Sequence, residues 1–323
     1  MKALVFDRFG GPEVLHIADV SDPLPTAGQA LVRTRAIGLN FADCYRRQGR
    51  YHLVGNPPWI AGYEAAGEVV SAPDSSGLAP GDRVAFADAP FANAELVAVD
   101  IERLIPLPAD IGFDTAAALL LQGLTAQYLI RDSHRVRSGE TVLVHAAAGG
   151  VGQLLVQLAK AEGAKVLALV STAEKCAAAM AAGADAATVY DQDWVAQAQA
   201  FGAHAGQPGV DVAYDSVGST VHDSLRAVRS GGHVVFYGMA GGDPAPVDPR
   251  VLMDGSKSLT GGDLWNVLRS ADDRRARSAE LFARIREGTL AIAIDSRYAL
   301  ADGAAAHAHL ESRRALGKVL LIP

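Results

Sequence analysis

Cysteine is nearly missing from this chain: its 323 residues include two, Cys44 and Cys176. Two thiols build neither a disulfide framework nor a four-cysteine structural zinc site. Long apolar runs are missing as well. The stretch from Ala116 to Leu121 is far short of a bilayer and Gln122 closes it. The opening Met1 to Phe6 stretch is too short for the core of a secretory signal and soon meets Asp7 and Arg8. The expectation is a cytoplasmic protein with no membrane partner. An excess of positive charge is also absent. With 36 acidic against 29 basic residues the net charge is -7, and the lysines and arginines are scattered, so no nucleic-acid partner is expected.

What remains is ordinary globular material, 50% hydrophobic and 20% charged, long enough for about two domains at roughly 100–200 residues each. Up to about residue 120 the chain reads as β-rich, with short apolar strands at 30–34, 66–71, 83–87 and 94–99. Turns such as Pro23-Leu24-Pro25, Pro57-Pro58 and Pro80-Gly81-Asp82 separate them. A first helical period covers 113–131. Strands at 141–145, 165–170, 188–190, 210–215 and 233–237 then alternate with helical patterns at 151–162, 173–182, 194–203 and 221–228. Such alternation predicts βαβ units and a parallel sheet covered on both faces. After about Leu259 the pattern mixes again: a charged helix at 270–287, a strand near 297–298, a helix at 301–311 and a terminal strand at 318–322. The fold class is α/β: a β-rich unit, interrupted by a Rossmann unit and completed by the C-terminal segment.

The strongest local signal is Val142-Leu143-Val144-His145-Ala146-Ala147-Ala148-Gly149-Gly150-Val151-Gly152. It leaves a strand and opens a helix, the context a dinucleotide fingerprint requires. Small residues let the backbone turn sharply beneath a pyrophosphate, and the helix N-terminus offers free N–H groups. Against G-x-G-x-x-G, alanine (Ala147) replaces the first glycine. An NAD site places an acid about 20 residues on, at the end of the second strand. Here Ser171-Thr172 and then Lys175 follow that strand, and Tyr190 ends the third. Hydroxyl donors and an ammonium suit a 2′-phosphate where a carboxylate would repel it. The expected cofactor is therefore NADP(H). The bland alternative makes Lys175 a solvated helix residue and Tyr190 a core edge.

Several further motifs accompany the turn: Arg8-Phe9-Gly10-Gly11-Pro12-Glu13-Val14-Leu15, Gly38-Leu39-Asn40-Phe41-Ala42-Asp43, Gly81-Asp82-Arg83-Val84, Gln122-Gly123-Leu124-Thr125, Tyr214-Asp215-Ser216-Val217-Gly218 and Leu310-Glu311-Ser312-Arg313. In order and spacing the chain resembles the quinone oxidoreductase and zeta-crystallin family, the zinc-free branch of the medium-chain dehydrogenases/reductases. The resemblance implies a GroES-like catalytic domain at 1–122, completed by 262–323, with a doubly wound Rossmann domain inserted at 123–261. It implies that Asn40, Asp43 and Tyr45 line the nicotinamide-ribose side with Thr125 and Tyr128, and that the turn from Gly149 through Gly150 and Val151 to Gly152 underlies the pyrophosphate. It further implies that Ser171, Lys175 and Tyr190 hold the 2′-phosphate, that Ser216, Tyr237, Gly238 and Met239 flank the adenosine and nicotinamide, and that Arg313 closes over the cofactor. Family members usually carry glycine where Ser171 stands. A homodimer is also implied, with the sheet edge near residues 234–237 as its pairing site.

Zinc-dependent relatives ligate their metal from Gly-x-Cys-x-x-Asp and Gly-His-Glu contexts. This chain has Asn40 for the cysteine, Tyr63 for the histidine of Gly62-Tyr63-Glu64, and an alkyl group near Leu121 for the third ligand. Amide, phenol and alkyl groups do not make an N/S tetrahedral site, so no metal is expected. Without a Lewis acid the substrate must accept hydride readily, as quinones and α,β-unsaturated carbonyls do, with hydrogen-bond help for its developing oxyanion. Tyr51 is the first donor candidate, from family resemblance, and Asn40 the second, through its amide N–H groups; a packing role for Tyr51 stands beside the catalytic one. Among acceptors a quinone leads. Enones, enals and enoyl thioesters are alternatives, and so is a non-catalytic NADPH-binding role. His145 reads as structural and His307 with His309 as solvated. The arginines from Arg274 to Arg286 read as an exposed, salt-bridged face. Trp265 is either a stacking platform for a quinone ring or core filling.

Overall fold

The alternation read after residue 140 resolves, in the computed structural model, into six parallel strands. The structure describes residues 1–191, 193–204 and 206–323. It divides into two units, Met1–Leu124 with Leu268–Pro323, and Thr125–Val267.

In the second unit the strands lie in the order Ala186–Val189, Lys165–Val170, Thr141–His145, Val210–Asp215, Val228–Phe236 and Ser258–Gly261, all parallel. Numbered from the first of them in sequence, this is the 3-2-1-4-5-6 order of the Rossmann fold. The strands are nearly continuous apolar runs because helices cover both faces: Leu143, Leu169, Val210, Ala213 and Val234 share one core with Trp194 and Leu225. One expectation is corrected here. The segment 234–237 is not a sheet edge, because Ser258–Gly261 pairs along its outer side from His233↔Ser258 to Phe236↔Gly261.

The first unit is built on Gln29–Gly38. Glu64–Ser71 runs antiparallel along one side of that long strand. On the other side Leu96–Asp100 pairs with its first half and Lys318–Ile322 with its end, through Leu320↔Gly38 and Leu321↔Ile37. Ile294–Ala299, Arg83–Ala87 and Ile105–Pro106 extend the sheet, and Lys2–Phe6 forms a smaller one with His16–Asp19 and Trp59–Ile60. Leu4, Phe6, Ile37, Phe86, Val319 and Leu321 meet in one core. Among the described residues no helix is long and apolar enough to cross a membrane.

Two polar side chains expected at the surface are inside. Arg274, on helix Ala271–Arg286, is buried and donates to the carbonyl of Glu102 at 3.0 Å, with the Asp88 carboxylate 3.5 Å away. His307, on helix Gly303–Glu311, is fully enclosed, with Nδ1 3.9 Å from Cys44 Sγ. Arg274 sits on a highly charged helix that nonetheless has a buried face, with Ser278, Leu281 and Phe282, and His307 on an alanine-rich one. His309 alone keeps the polar setting read for the pair, 2.7 Å from the half-buried Asp295 carboxylate.

Candidate functional site

In the second unit the cofactor candidates gather at the carboxyl ends of the parallel strands, where doubly wound folds bind their ligands. After Thr141–His145 the chain turns through Ala146, a left-handed residue at φ 48°, and Gly149 N–H donates to Ala146 O at 2.9 Å. Helix Gly150–Ala161 then begins, capped by a glycine with no side chain to offer. A Cβ on Gly152 would lie 2.7 Å from Ala147 Cα and press on the Ala146 carbonyl, so this turn has room for backbone alone. That compactness, with unblocked helical N–H groups, fits a pyrophosphate.

Ser171 follows the neighbouring strand, and Tyr190 follows the next, where its N–H donates to Val170 O at 3.1 Å. Lys175 ends the 3-10 turn Ala173–Lys175. Strand register thus places Ser171, Lys175 and Tyr190 at one sheet end. The same turn carries Glu174, an exposed carboxylate held below its usual range by the Thr172 hydroxyl and its own backbone; the motif reading passed over it. On the other side of the first strand, Val210–Asp215 leads into Ser216. The turn containing Tyr237, Gly238 and Met239 folds against it, with Tyr237 N–H donating to Asp215 O at 2.9 Å and Ala240 N–H to Ser216 O at 3.0 Å. Thr125 and Tyr128, both buried, lie on helix Phe113–Tyr128.

Tyr190 is more constrained than a plain phenolic donor. Its oxygen accepts from Ala146 N–H at 3.2 Å and lies 3.1 Å from His145 Nδ1. His145 is wholly buried, and burial holds its pKa below the usual imidazole value against the opposing charge of Asp215.

In the first unit, sheet register assembles a polar cluster. Ile37↔Ala65 and Leu320↔Gly38 bring Glu64 and Lys318 to either side of Gly38, where a Cβ would sit 2.5 Å from Glu64 Oε2 and 2.8 Å from Lys318 Cε. Lys318 Nζ lies 2.6 Å from Glu64 Oε2 and 2.8 Å from Asn40 Oδ1, and both charged side chains are fully buried. Asn40 Nδ2 donates to Glu64 at 2.9 Å and to Gly38 O at 3.2 Å. Leu121 N–H donates to the other Glu64 oxygen at 2.7 Å. The ammonium on one side and the carboxylate on the other fix the amide orientation. Both amide hydrogens of Asn40 are therefore spent, which corrects the expectation that they would reach a substrate oxygen.

Asn40 also precedes helix Phe41–Arg47, and its N–H donates to the Asp43 carboxylate at 2.9 Å. Asp43 is buried; burial pushes its carboxyl up, against the pull of Arg46 at 3.4 Å. The Arg46 guanidinium lies 3.5 Å over the Tyr63 ring and 4.9 Å from the centre of the Tyr51 ring. Tyr63 is buried, and Tyr51 is half-exposed with its ring 3.9 Å from His52. Tyr45 is buried, with Phe41 as ring neighbour at 6.3 Å. Arg313 belongs to this unit and is exposed at φ 59°. Arg46, Tyr63, Glu64 and Lys318 are the residues the motif reading missed as a group. Only the Gly62-Tyr63-Glu64 triplet hinted at them.

A β-rich unit and a Rossmann unit with this glycine turn define a pyridine-nucleotide-dependent oxidoreductase. Residues 26–138 match the alcohol dehydrogenase GroES-like domain and residues 150–274 the zinc-binding dehydrogenase family. The chain is 40% identical to a quinone oxidoreductase of Pseudomonas aeruginosa over 100% of its own length and 99% of that protein. It is 36% identical to a 2-haloacrylate reductase of a Burkholderia species, covering 100% and 99% of the two chains. The crystal structure of Escherichia coli quinone oxidoreductase complexed with NADPH superposes at a TM-score of 0.95, with 35% identity and 100% of both chains covered. The chain belongs to the quinone oxidoreductase family of medium-chain dehydrogenases/reductases, and it is an NADP(H)-dependent oxidoreductase.

The zinc in the matched family's description does not suit the donors here. Glu64 already accepts from an ammonium, an amide and a backbone N–H, and the amide oxygen of Asn40 accepts from the same ammonium. A cation would have to displace Lys318 to reach them. Among the described residues no three His, Cys, Asp or Glu side chains converge elsewhere to hold a metal.

Proposed function

We propose that this chain reduces quinones with NADPH, without zinc. The observation that carries this reading is the closed Lys318–Glu64–Asn40 cluster: Asn40, which stands where zinc-dependent relatives carry their first ligand, already accepts from the chain's own ammonium. NADPH, when bound, supplies the hydride. The chain's own residues must then bind the nucleotide, orient it and stabilise negative charge on the acceptor oxygen. Tyr51 donates to that oxygen, and the guanidinium of Arg46 beside its ring orients it. Reduction of an activated C=C bond is the second reading, favoured by the full-length likeness to a 2-haloacrylate reductase.

An NADPH-oxidation screen across quinones, enones and haloacrylates, with NADH alongside and metal measured by elemental analysis, tests all of this. Oxidation of NADPH by quinones with no stoichiometric zinc is expected; a 1:1 zinc content or inertness toward every acceptor would reject the proposal. Tyr51→Phe should lower turnover roughly 100-fold, the scale of one lost oxyanion donor, while the Kd for NADPH stays put. Equal turnover in the variant would leave Tyr51 a packing residue. Lys175→Glu should raise the KM for NADPH by about 10- to 100-fold, as loss of a charge-assisted bond does, with little change for NADH. A parallel rise for both nucleotides would remove Lys175 from the 2′-phosphate.

The location we infer is the cytoplasm. The assembly we infer is a homodimer paired through strand Ser258–Gly261, whose outer side is the edge of the parallel sheet.

A further inference from the structure

Tyr190 ends a hydrogen-bonded chain that runs inward through three fully buried groups. Its oxygen lies 3.1 Å from His145 Nδ1, His145 Nε2 lies 3.0 Å from Ser224 Oγ, and Ser224 Oγ lies 2.7 Å from Asp215 Oδ2. Asp215 also accepts from Thr220 Oγ1 at 2.7 Å, and from Val217 N–H and Gly218 N–H at 2.9 and 3.0 Å. Burial pushes its carboxyl up, but the nearby imidazole and these donors prevail and hold it below the usual range. Trp194 packs edge-on against both rings of the relay, at 5.4 Å from His145 and 6.3 Å from Tyr190.

Counting hydrogens fixes the arrangement. An ionised carboxylate only accepts, so Ser224 gives its hydrogen to Asp215 and must accept from His145 Nε2–H. Neutral His145 has one ring hydrogen, so Nδ1 is bare and Tyr190 donates to it. The Tyr190 hydroxyl thus points its hydrogen inward, while a 2′-phosphate would need it pointing outward.

We propose that His145 and Asp215 are positioning residues that set the preference for NADPH over NADH, by deciding whether the Tyr190 hydroxyl donates inward to His145 or outward to the 2′-phosphate. This rests on the reading that Tyr190 meets that phosphate. In the outward state His145 carries its hydrogen on Nδ1 and donates to Tyr190, and Ser224 turns its own to Nε2. Asp215 gives up one of its donors and keeps Val217, Gly218 and Thr220. The number of protons is the same in both states.

Asp215→Asn biases the switch. The new amide oxygen still accepts from Val217 and Gly218, while its NH2 group donates to Ser224 and Thr220. Ser224 must then give its hydrogen to His145 Nε2, and Tyr190 is released outward. Titration of each nucleotide should show the NADPH-to-NADH affinity ratio rising about 10-fold, the scale of one bond to a charged acceptor. The rise should vanish in Asp215→Asn/Tyr190→Phe. In 15N spectra of histidine-labelled wild type, NADPH should move the His145 hydrogen from Nε2 to Nδ1, and NADH should not. This measurement needs no variant to fold. An unchanged ratio in Asp215→Asn, or Nε2–H in every state, overturns the relay while Tyr190→Phe still weakens NADPH. If Tyr190→Phe binds NADPH as the wild type does, the phosphate contact itself is wrong and the relay has no role in selectivity.

Discussion

Lys318→Met is expected to destabilise the first unit by roughly 3–5 kcal/mol, the cost of stripping one partner from a buried ion pair. The methionine keeps most of the lysine's volume, so the loss reports charge rather than a cavity. Glu64 would remain fully buried, its carboxylate still accepting from Asn40 Nδ2 and Leu121 N–H but without a counterion among the described residues. Glu64→Gln/Lys318→Met removes both charges and should recover most of the loss, since a neutral amide needs no counterion. Urea unfolding of the three proteins, followed by a probe in the first unit, makes the comparison. Additive losses in the double variant would show that Lys318 and Glu64 do not act as a pair.

Acid should weaken the fold well before the carboxylates titrate. Burial, together with the neighbouring Arg47 charge, pushes the His307 pKa down to about 3. Burial also lowers His145 and, with His134 beside it, His233. A histidine with a lowered folded pKa binds its proton more readily when unfolded. It therefore stabilises the fold above the unfolded value of about 6.5, and that contribution drains away as pH falls toward the folded value. For His307 the window runs from about pH 6.5 downward at roughly 1.4 kcal/mol per pH unit, or about 2 kcal/mol lost by pH 5. Asp43 and Asp88, whose carboxyls are raised chiefly by burial, act in the opposite sense, and their gain arrives only as they take up protons. His307→Leu should flatten the slope of unfolding free energy against pH between 6 and 5 by about 1.4 kcal/mol per unit. An unchanged slope would mean that His307 is protonated in the folded chain.

The Rossmann unit was legible because its signals are local: apolar strands recurring at short, regular intervals, and a small-residue turn between the first strand and its helix. Its far edge was not. Ser258–Gly261 has four residues and one large apolar side chain, too little to register as a strand, and 234–237 was mistaken for the border. The first unit hides its chemistry for another reason. Lys318 and Glu64 are 254 positions apart, and no periodicity announces that a lysine in an apolar strand has a carboxylate waiting across the sheet. Asn40 was found by its motif and misread in role, because a motif names a residue without saying which partners consume its hydrogens. Arg274 and His307 read as exposed because a charged or imidazole side chain is ordinarily solvated, and the pattern does not say that each falls on the buried side of its helix.

The strand that supplies Lys318 seats itself beside Gly38 only after the whole inserted unit has been traversed. During synthesis, Glu64 and Asn40 emerge long before their cation exists, so the first unit must idle with a hydrated carboxylate where its interior will be. The inserted unit has a sheet and a core of its own, built without any part of the C-terminal segment, and such a unit is able to fold meanwhile. The topology thus lets assembly run out of step with translation: the middle of the polypeptide can mature before its beginning, which waits for its end.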